Sequence, residues 1–339
     1  MSSTPDSGPD PGGFSALVGN VLTLAAALLI AALALEGYVR LVADDGMQFD
    51  LEMWKYAQAL KRPAVDPVAG HEHIPQSSAH LMGVDVAING FGYRDDLQTL
   101  DKPGDVRRVL MLGDSLTFGW GVAQEDTPSE LLQALLNQAN DGWRYEVVNM
   151  GIGNANTDMQ VRAMDLAGWQ FDPDVIVLNY FINDAEPTPE RAGGLLSEFS
   201  YAYVYFGGRL DTLRRQAGNV PDWRAYYSGL YRDNAKGWQT AVEAMRRLSS
   251  EAEGRDVPLV IANYPELHAL APYPFDGINQ ALATVVMDLR RDFVDLTPAV
   301  AGEIPENLWV HPQDAHPNAV ANGKFAAALA PVIMGHFEN

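Results

Sequence analysis

The chain has 339 residues, 47% of them hydrophobic, enough to bury one large α/β core or two small ones. Its formal net charge of -21 repels phosphate backbones, so nucleic acid is not an expected partner. Having no cysteine, it can form neither a disulfide nor a thiolate metal site, and a cysteine nucleophile is excluded.

Residues 1–13, rich in Ser, Pro, Gly and Asp, read as a disordered tail. Residues 14–35 form an uncharged, Ala- and Leu-rich run long enough to cross about 30 Å of hydrocarbon as a helix. Asp6 and Asp10 precede it and no Lys or Arg does, so it reads as an uncleaved single-pass transmembrane helix rather than a signal peptide. Arg40 and Lys55 follow the span and lean the body toward the cytoplasm. Residues 36–105 keep no sustained period and read as a connector with short strands, one around 84–88, packing on the main domain. His71, His73 and His80 within it read as solvated, and no metal site is expected.

From residue 106 the pattern changes. Short apolar runs at 108–112, 145–150, 174–180, 258–263 and 292–296 are rich in Val, Ile or Leu, as strands buried on both faces are. Helix-period segments alternate with them, at 157–169, 234–253, 278–291 and 318–336. The first helix announces itself as a capping box, Thr127-Pro128-Ser129-Glu130, with Leu131, Leu132, Leu135 and Leu136 as its inner face. The class predicted for 106–339 is α/β, a three-layer αβα sandwich around a central, mostly parallel five-stranded sheet. An aromatic-rich insertion at about 190–232 interrupts the alternation; its Tyr and Trp side chains suit sugar rings or acyl chains, or packing among themselves.

Four segments carry the chemistry. Gly113-Asp114-Ser115-Leu116 follows the first strand, where a tight turn presents a hydroxyl and a backbone N–H to one volume, with Gly113 read as tolerating backbone angles that a side chain resists. Alone, such a tetrapeptide is more often a local Asx or Ser turn. The second strand ends in Asn149-Met-Gly151-Ile-Gly153-Asn154-Ala-Asn156-Thr157, whose small residues free backbone N–H groups for an anion and whose Asn156 or Thr157 suits a helix cap. The third ends in Asn179-Tyr-Phe181-Ile-Asn183-Asp184, which offers a side-chain amide. Near the C-terminus, Asp314 stands two residues before His316, so in extended chain both point the same way.

With these four blocks the chain resembles the SGNH (GDSL-type) hydrolase superfamily over roughly residues 106–334, and residues 88–95 are similar to the opening segment of its membrane-anchored members. The resemblance implies a flavodoxin-like SGNH fold and a serine esterase or deacylase that works through an acyl-enzyme and needs no cofactor. It implies Ser115 as nucleophile, His316 as general base and then acid, and Asp314 as orienting carboxylate. The oxyanion would be held by the Ser115 N–H, the Gly153 or Asn154 N–H, and the Asn183 side chain. Three positions depart from the pattern: Asn154 at the second block's usual glycine, Phe181 at the start of the third, and an acid two rather than three residues before the histidine. The expected substrate is a small-molecule or glycan ester, such as an O-acetyl group on a carbohydrate or lipid-linked molecule. An O-acyltransferase acting on a glycan with the same residues, its membrane acyltransferase partner left open, and a non-catalytic membrane-tethered glycan-binding module are the alternatives. Anchored members stand outside the cytoplasm, so the resemblance opposes the Arg40 signal and the catalytic domain is expected to be extracytoplasmic.

Overall fold

The computed structural model describes residues 11–97, 99–188, 194–216 and 222–338. Most of the predicted tail and parts of the aromatic insertion, 190–193 and 217–221, lie outside the described residues.

Helix α1 (Pro11–Tyr38) continues through a π-helical turn (Val39–Ala43) and is followed by α2 (Phe49–Ala59). Two antiparallel hairpins come next, β1 (Lys61–Pro63) with β2 (His71–His73), and β3 (Ser78–Leu81) with β4 (Val84–Ala87). The main body then runs β5 (Val106–Leu112), α3 (Ser115–Phe118), α4 (Pro128–Asn137), β6 (Arg144–Asn149), α5 (Thr157–Leu166) and β7 (Val175–Tyr180). After α6 (Leu195–Phe199), α7 (Tyr201–Gln216) and α8 (Trp223–Leu230), it resumes with α9 (Lys236–Gly254), β8 (Leu259–Asn263), α10 (Asp276–Asp288) and β9 (Asp292–Asp295). A last hairpin, β10 (Trp309–His311) with β11 (Asp314–Pro317), leads into α11 (Ala319–Gly335).

The five strands β6-β5-β7-β8-β9 form one sheet in that order, and every pair is parallel. Alternation along β5 explains the layers. Leu110 and Leu112 join the core under α5, α9 and α10, while Val109 and Met111 join the core under α4 and α11. With apolar residues on both faces, each strand must be covered twice, which makes the three-layer sandwich. Thr127 caps α4 by accepting the Glu130 N–H, and Asn156 caps α5 by accepting the Met159 N–H. The chain goes from β5 to one side at β6 and then crosses to the other at β7. That switch point opens a crevice beyond the C-terminal end of β5, where ligands bind in such sheets.

Two expectations need correction. Residues 36–105 are more than loop and short strands, because α2 stands among them and, with β3 and β4, builds a separate apolar cluster around Tyr56, Leu60, Leu81, Met82, Val86, Phe118 and Trp120. The helical period of α2 is disguised by Glu52, a carboxylate only 1% exposed that accepts the Met82 N–H and pairs with Lys55. His73 is not solvated: it is buried, and His71 is half-buried.

Helix α1, with its π-helical extension, contains a candidate span from Ser15 to Ala43, whose most apolar run of 18 residues has a mean hydropathy of 2.3 and is not buried. It is long and apolar enough to cross a membrane and extends beyond the predicted 14–35.

Candidate active site

Ser115 is the first residue of α3, at the switch point. Asp114 precedes it as N-cap, its Oδ1 accepting the Leu116 N–H at 2.9 Å. Gly113 is required here for a reason other than the one the turn suggested. A Cβ at Gly113 would lie 1.9 Å from Thr117 Oγ1, so the demand is for close approach, not for unusual backbone angles.

The hairpin β10–β11 brings the C-terminal pair across the crevice. In β11, Asp314 and His316 are two apart and share a face. Asp314 Oδ1 lies 2.5 Å from His316 Nδ1, and His316 Nε2 lies 2.9 Å from Ser115 Oγ. A carboxylate only accepts, so Nδ1 carries the proton and Nε2 turns its lone pair to the serine hydroxyl. Burial of His316 opposes its protonation, but the charge and hydrogen bond of Asp314 outweigh that and hold the imidazole above its ordinary pKa. Burial likewise works against the charge on Asp314, and His316 overcomes it to keep the carboxyl below its usual range.

Trp120 completes this pair, and nothing in the sequence marked it. Its indole Nε1 donates to Asp314 Oδ2 at 2.8 Å, so both carboxylate oxygens are occupied. The loop bearing Trp120 is held by Arg94, a fully buried guanidinium donating to the carbonyls of Gly119 at 2.5 Å and Val122 at 2.7 Å. Arg94 lies in the segment 88–95, and holding this loop is a role that its sequence does not reveal. Asp95 beside it, which reads as an exposed turn or cap residue, does accept the Leu97 N–H at 2.7 Å in a turn, but it is half-buried, and its other oxygen accepts the Asn149 N–H at 2.8 Å and ties that segment to the end of β6.

The second block is held from three sides. The Gly153 N–H donates to Tyr56 Oη at 2.9 Å, while its carbonyl accepts from Lys61 Nζ and His71 Nε2, each at 3.0 Å. Tyr56 is itself fixed. The Gly92 carbonyl takes the Nδ1 proton of His73, so His73 Nε2 accepts from Tyr56 at 2.6 Å. Hence the Gly153 N–H is engaged away from Ser115. In a trans peptide the carbonyl and the next N–H point to opposite sides, so anchoring the Gly153 oxygen on Lys61 and His71 turns the Asn154 N–H away from them. Asn154 has φ of 64°, the left-handed region that Asn tolerates best after Gly, which explains why it can stand at the block's glycine position.

Ser115, Asn154, Phe181, Asn183 and His316 line one cavity of about 370 Å³. Phe49 and Met53 of α2 wall it too, with the Phe49 ring 6.0 Å from the imidazole of His316. Tyr227 is the insertion's contribution. Trp223 and Tyr231 pack instead on Phe275 and Trp238 and build structure. The cavity also holds His268, hydrogen-bonded to the buried carboxylate of Glu266; this pair has the same two-residue spacing as Asp314 and His316, a signal present in the sequence but outside the four blocks. A second cavity, about 420 Å³, adjoins at Asn154 and is lined by Trp54, Lys61, His71 and Tyr203.

Burying His73 should make the protein acid-sensitive. Desolvation lowers its pKa to about 3, so the native state keeps it neutral while the unfolded chain takes up a proton below its ordinary value of 6.5. Stability is therefore lost as pH falls from about 6.5 toward 3, by roughly 2 kcal/mol between pH 7 and pH 5 from this residue alone. Urea unfolding in detergent at both pH values should show a shallower pH slope for His73→Gln than for wild type; equal slopes would remove His73 from the account.

Residues 111–323 match the family model of the GDSL-like Lipase/Acylhydrolase family. Similar solved structures include the psychrotrophic esterase EstA from Pseudoalteromonas sp., at 14% identity over 69% of this chain and 100% of that one, with a TM-score of 0.42. The lipase/acylhydrolase from Enterococcus faecalis is similar at 14% identity over 68% and 96%, with a TM-score of 0.40. The acetyl xylan esterase AlAXEase is similar at 14% identity over 67% and 99%, also with a TM-score of 0.40. No curated protein sequence matches the chain.

Proposed function

Because the chain belongs to the GDSL-like lipase/acylhydrolase family and is thus a hydrolase of the SGNH type, we propose that it is a membrane-anchored serine esterase acting through an acyl-enzyme on Ser115. The observation that carries this reading is the hydrogen-bonded series Ser115–His316–Asp314, with distances of 2.9 and 2.5 Å. A glycan-binding module has no physical need for that series.

Ser115 Oγ attacks the ester carbonyl as His316 Nε2 takes its proton, and the imidazolium formed is stabilised by Asp314. The tetrahedral oxyanion is received by the backbone N–H groups of Ser115 and Asn154 and by the Asn183 amide. Of Gly153 and Asn154, the latter is favoured, since the Gly153 N–H is already given to Tyr56. Collapse breaks the ester C–O bond, and His316 passes its proton to the departing alkoxide. Water then attacks the acyl-enzyme with His316 as base, releasing the acid and restoring Ser115.

The acyl group we favour is small, such as acetyl, because the bulky side chains of Phe181 and Phe49 stand among the walls of the cavity that Ser115 faces. The alcohol would be a carbohydrate or a lipid-linked glycan, with the catalytic domain outside the cytoplasm and α1 as its single anchor. Acyl transfer uses the same residues, with a sugar hydroxyl in place of water. To test this, purified protein is given an aryl acetate with and without acetylated or free oligosaccharide, and released acetate and acetylated sugar are both measured. Asn183→Ala should lower kcat by about 100-fold or more with KM little changed, as expected for a donor that acts on the transition state. If acetate turnover is absent, or if Asn183→Ala changes only KM, this site assignment fails; if acetylated sugar exceeds acetate, the protein is a transferase.

A further inference from the structure

Helix α7 carries apolar residues on a side that nothing among the described residues covers. Its opposite side lies on α2. Gly208 is so close that a Cβ there would stand 2.0 Å from Asp50 Oδ2, and Arg209 donates to Gln48 at 3.2 Å. With about 100° per residue, Tyr203, Phe206, Leu210 and Leu213 all fall within about 40° of the point opposite Gly208. These four are between 39 and 61% exposed, and Leu196 and Phe199 of α6 are exposed as well. A helix facing water would carry polar residues there. Instead Arg209 and Arg214 border the stripe on its two sides, where long cationic side chains can reach polar headgroups while their stems lie on apolar surface.

The stripe begins where α1 leaves its apolar run. Glu36 of α1 accepts from Ser200 Oγ at 2.8 Å and from the Tyr201 and Ala202 N–H groups, both at 3.0 Å. Arg40 donates to the Phe199 carbonyl at 2.9 Å and stacks 4.0 Å from the centre of the Tyr201 ring. The outward apolar surface of α1 is thus continuous with that of α6 and α7. Local charge fits the same surroundings: within 201–216 three arginines stand against one aspartate, in a chain of net charge -21. Contact with the end of the α1 span sets this surface beside lipid and favours a lipid surface over a second copy as its occupant, with the local arginines suited to anionic headgroups.

We propose that α6 and α7 lie in the plane of the membrane beside α1, with the stripe sunk at the boundary of headgroups and acyl chains and Arg209 and Arg214 on lipid phosphates. The inference rests on α1 spanning the bilayer and is independent of the ester chemistry. It sets Tyr203, a wall of the cavity adjoining Asn154, at the lipid surface.

Since the chain has no cysteine, single cysteines can be placed at Phe206, Leu210 and Leu213, with Leu196 as a second-helix position and exposed Val320 of α11 as a control. Full-length protein, nitroxide-labelled at each site, is reconstituted into vesicles containing phosphatidylglycerol. Collision with oxygen relative to a water-soluble nickel chelate should be severalfold higher at the stripe sites than at 320. Ratios at the stripe equal to that at 320 would overturn the proposal. So would dipolar broadening between labels on different molecules, which would assign the stripe to a second copy.

Discussion

Ser115→Ala should lower kcat/KM on an aryl acetate by at least about 10⁴-fold, or some 5.5 kcal/mol of transition-state stabilisation, and should abolish labelling by a fluorophosphonate. The substitution removes one oxygen and leaves the rest in place. Asp114 still caps α3 through the Leu116 N–H, and the Ser115 backbone N–H still heads the helix, so folding should be preserved. Whatever activity remains then measures the oxyanion donors and binding alone. Unchanged labelling in this variant would show that a different nucleophile reacts, and the acyl-enzyme on Ser115 would have to be abandoned.

A loss of similar size, about 10⁴-fold in kcat, is expected for Asp314→Asn, for a different reason. Asp314 accepts from Trp120 on one oxygen and from both the ring and the backbone N–H of His316 on the other. An asparagine has one accepting oxygen. Turned toward Trp120, it presents its NH₂ to His316 Nδ1, which moves the ring proton to Nε2 and faces Ser115 with a donor. Turned the other way, its NH₂ meets the indole N–H of Trp120, so neither orientation leaves all partners paired.

The same variant has a pH signature. His316 works as a base only when neutral, and Asp314 raises its pKa above 6.5, so wild-type activity should fall as pH drops through a value above the ordinary imidazole range. Without the carboxylate that limb should move to lower pH in the residual activity. A pH–rate profile of kcat/KM for both proteins reads this directly. Profiles with the same acid limb would mean that Asp314 does not face the working imidazole.

The supporting layer explains why a connector of about seventy residues precedes the sheet domain. Tyr56, Lys61, His71 and His73 come from α2, β1 and β2, yet their hydrogen bonds converge on Gly153 or on the residue that holds it. Arg94 does the same for the loop carrying Trp120. These groups touch no reacting atom in the proposed chemistry and act by holding peptide units in one orientation, which is what a preorganised oxyanion site requires.

How much was legible in the sequence follows the range of each interaction. The five strands could be read because apolar runs buried on both faces differ from everything around them, and the caps of α4 and α5 because Thr127 and Asn156 bond to N–H groups three residues on. The blocks bearing Ser115, Asn154 and Asn183 could be read because each sits just past a strand end, where a switch-point sheet gathers such ends, and the Asp314–His316 pair because two residues apart in extended chain share a face. Three things were decided only in the folded chain: that Gly113 answers to the side chain of Thr117, four residues on, rather than to its own φ; that Tyr56, 97 residues away, takes the Gly153 N–H; and that Trp120, 194 residues away, holds Asp314. A strand or a cap records its cause in neighbouring residues. A buried hydrogen bond between distant segments records it only in the geometry that packing imposes, and so Tyr56 and Trp120 read as ordinary aromatics until the tertiary structure places a partner beside each.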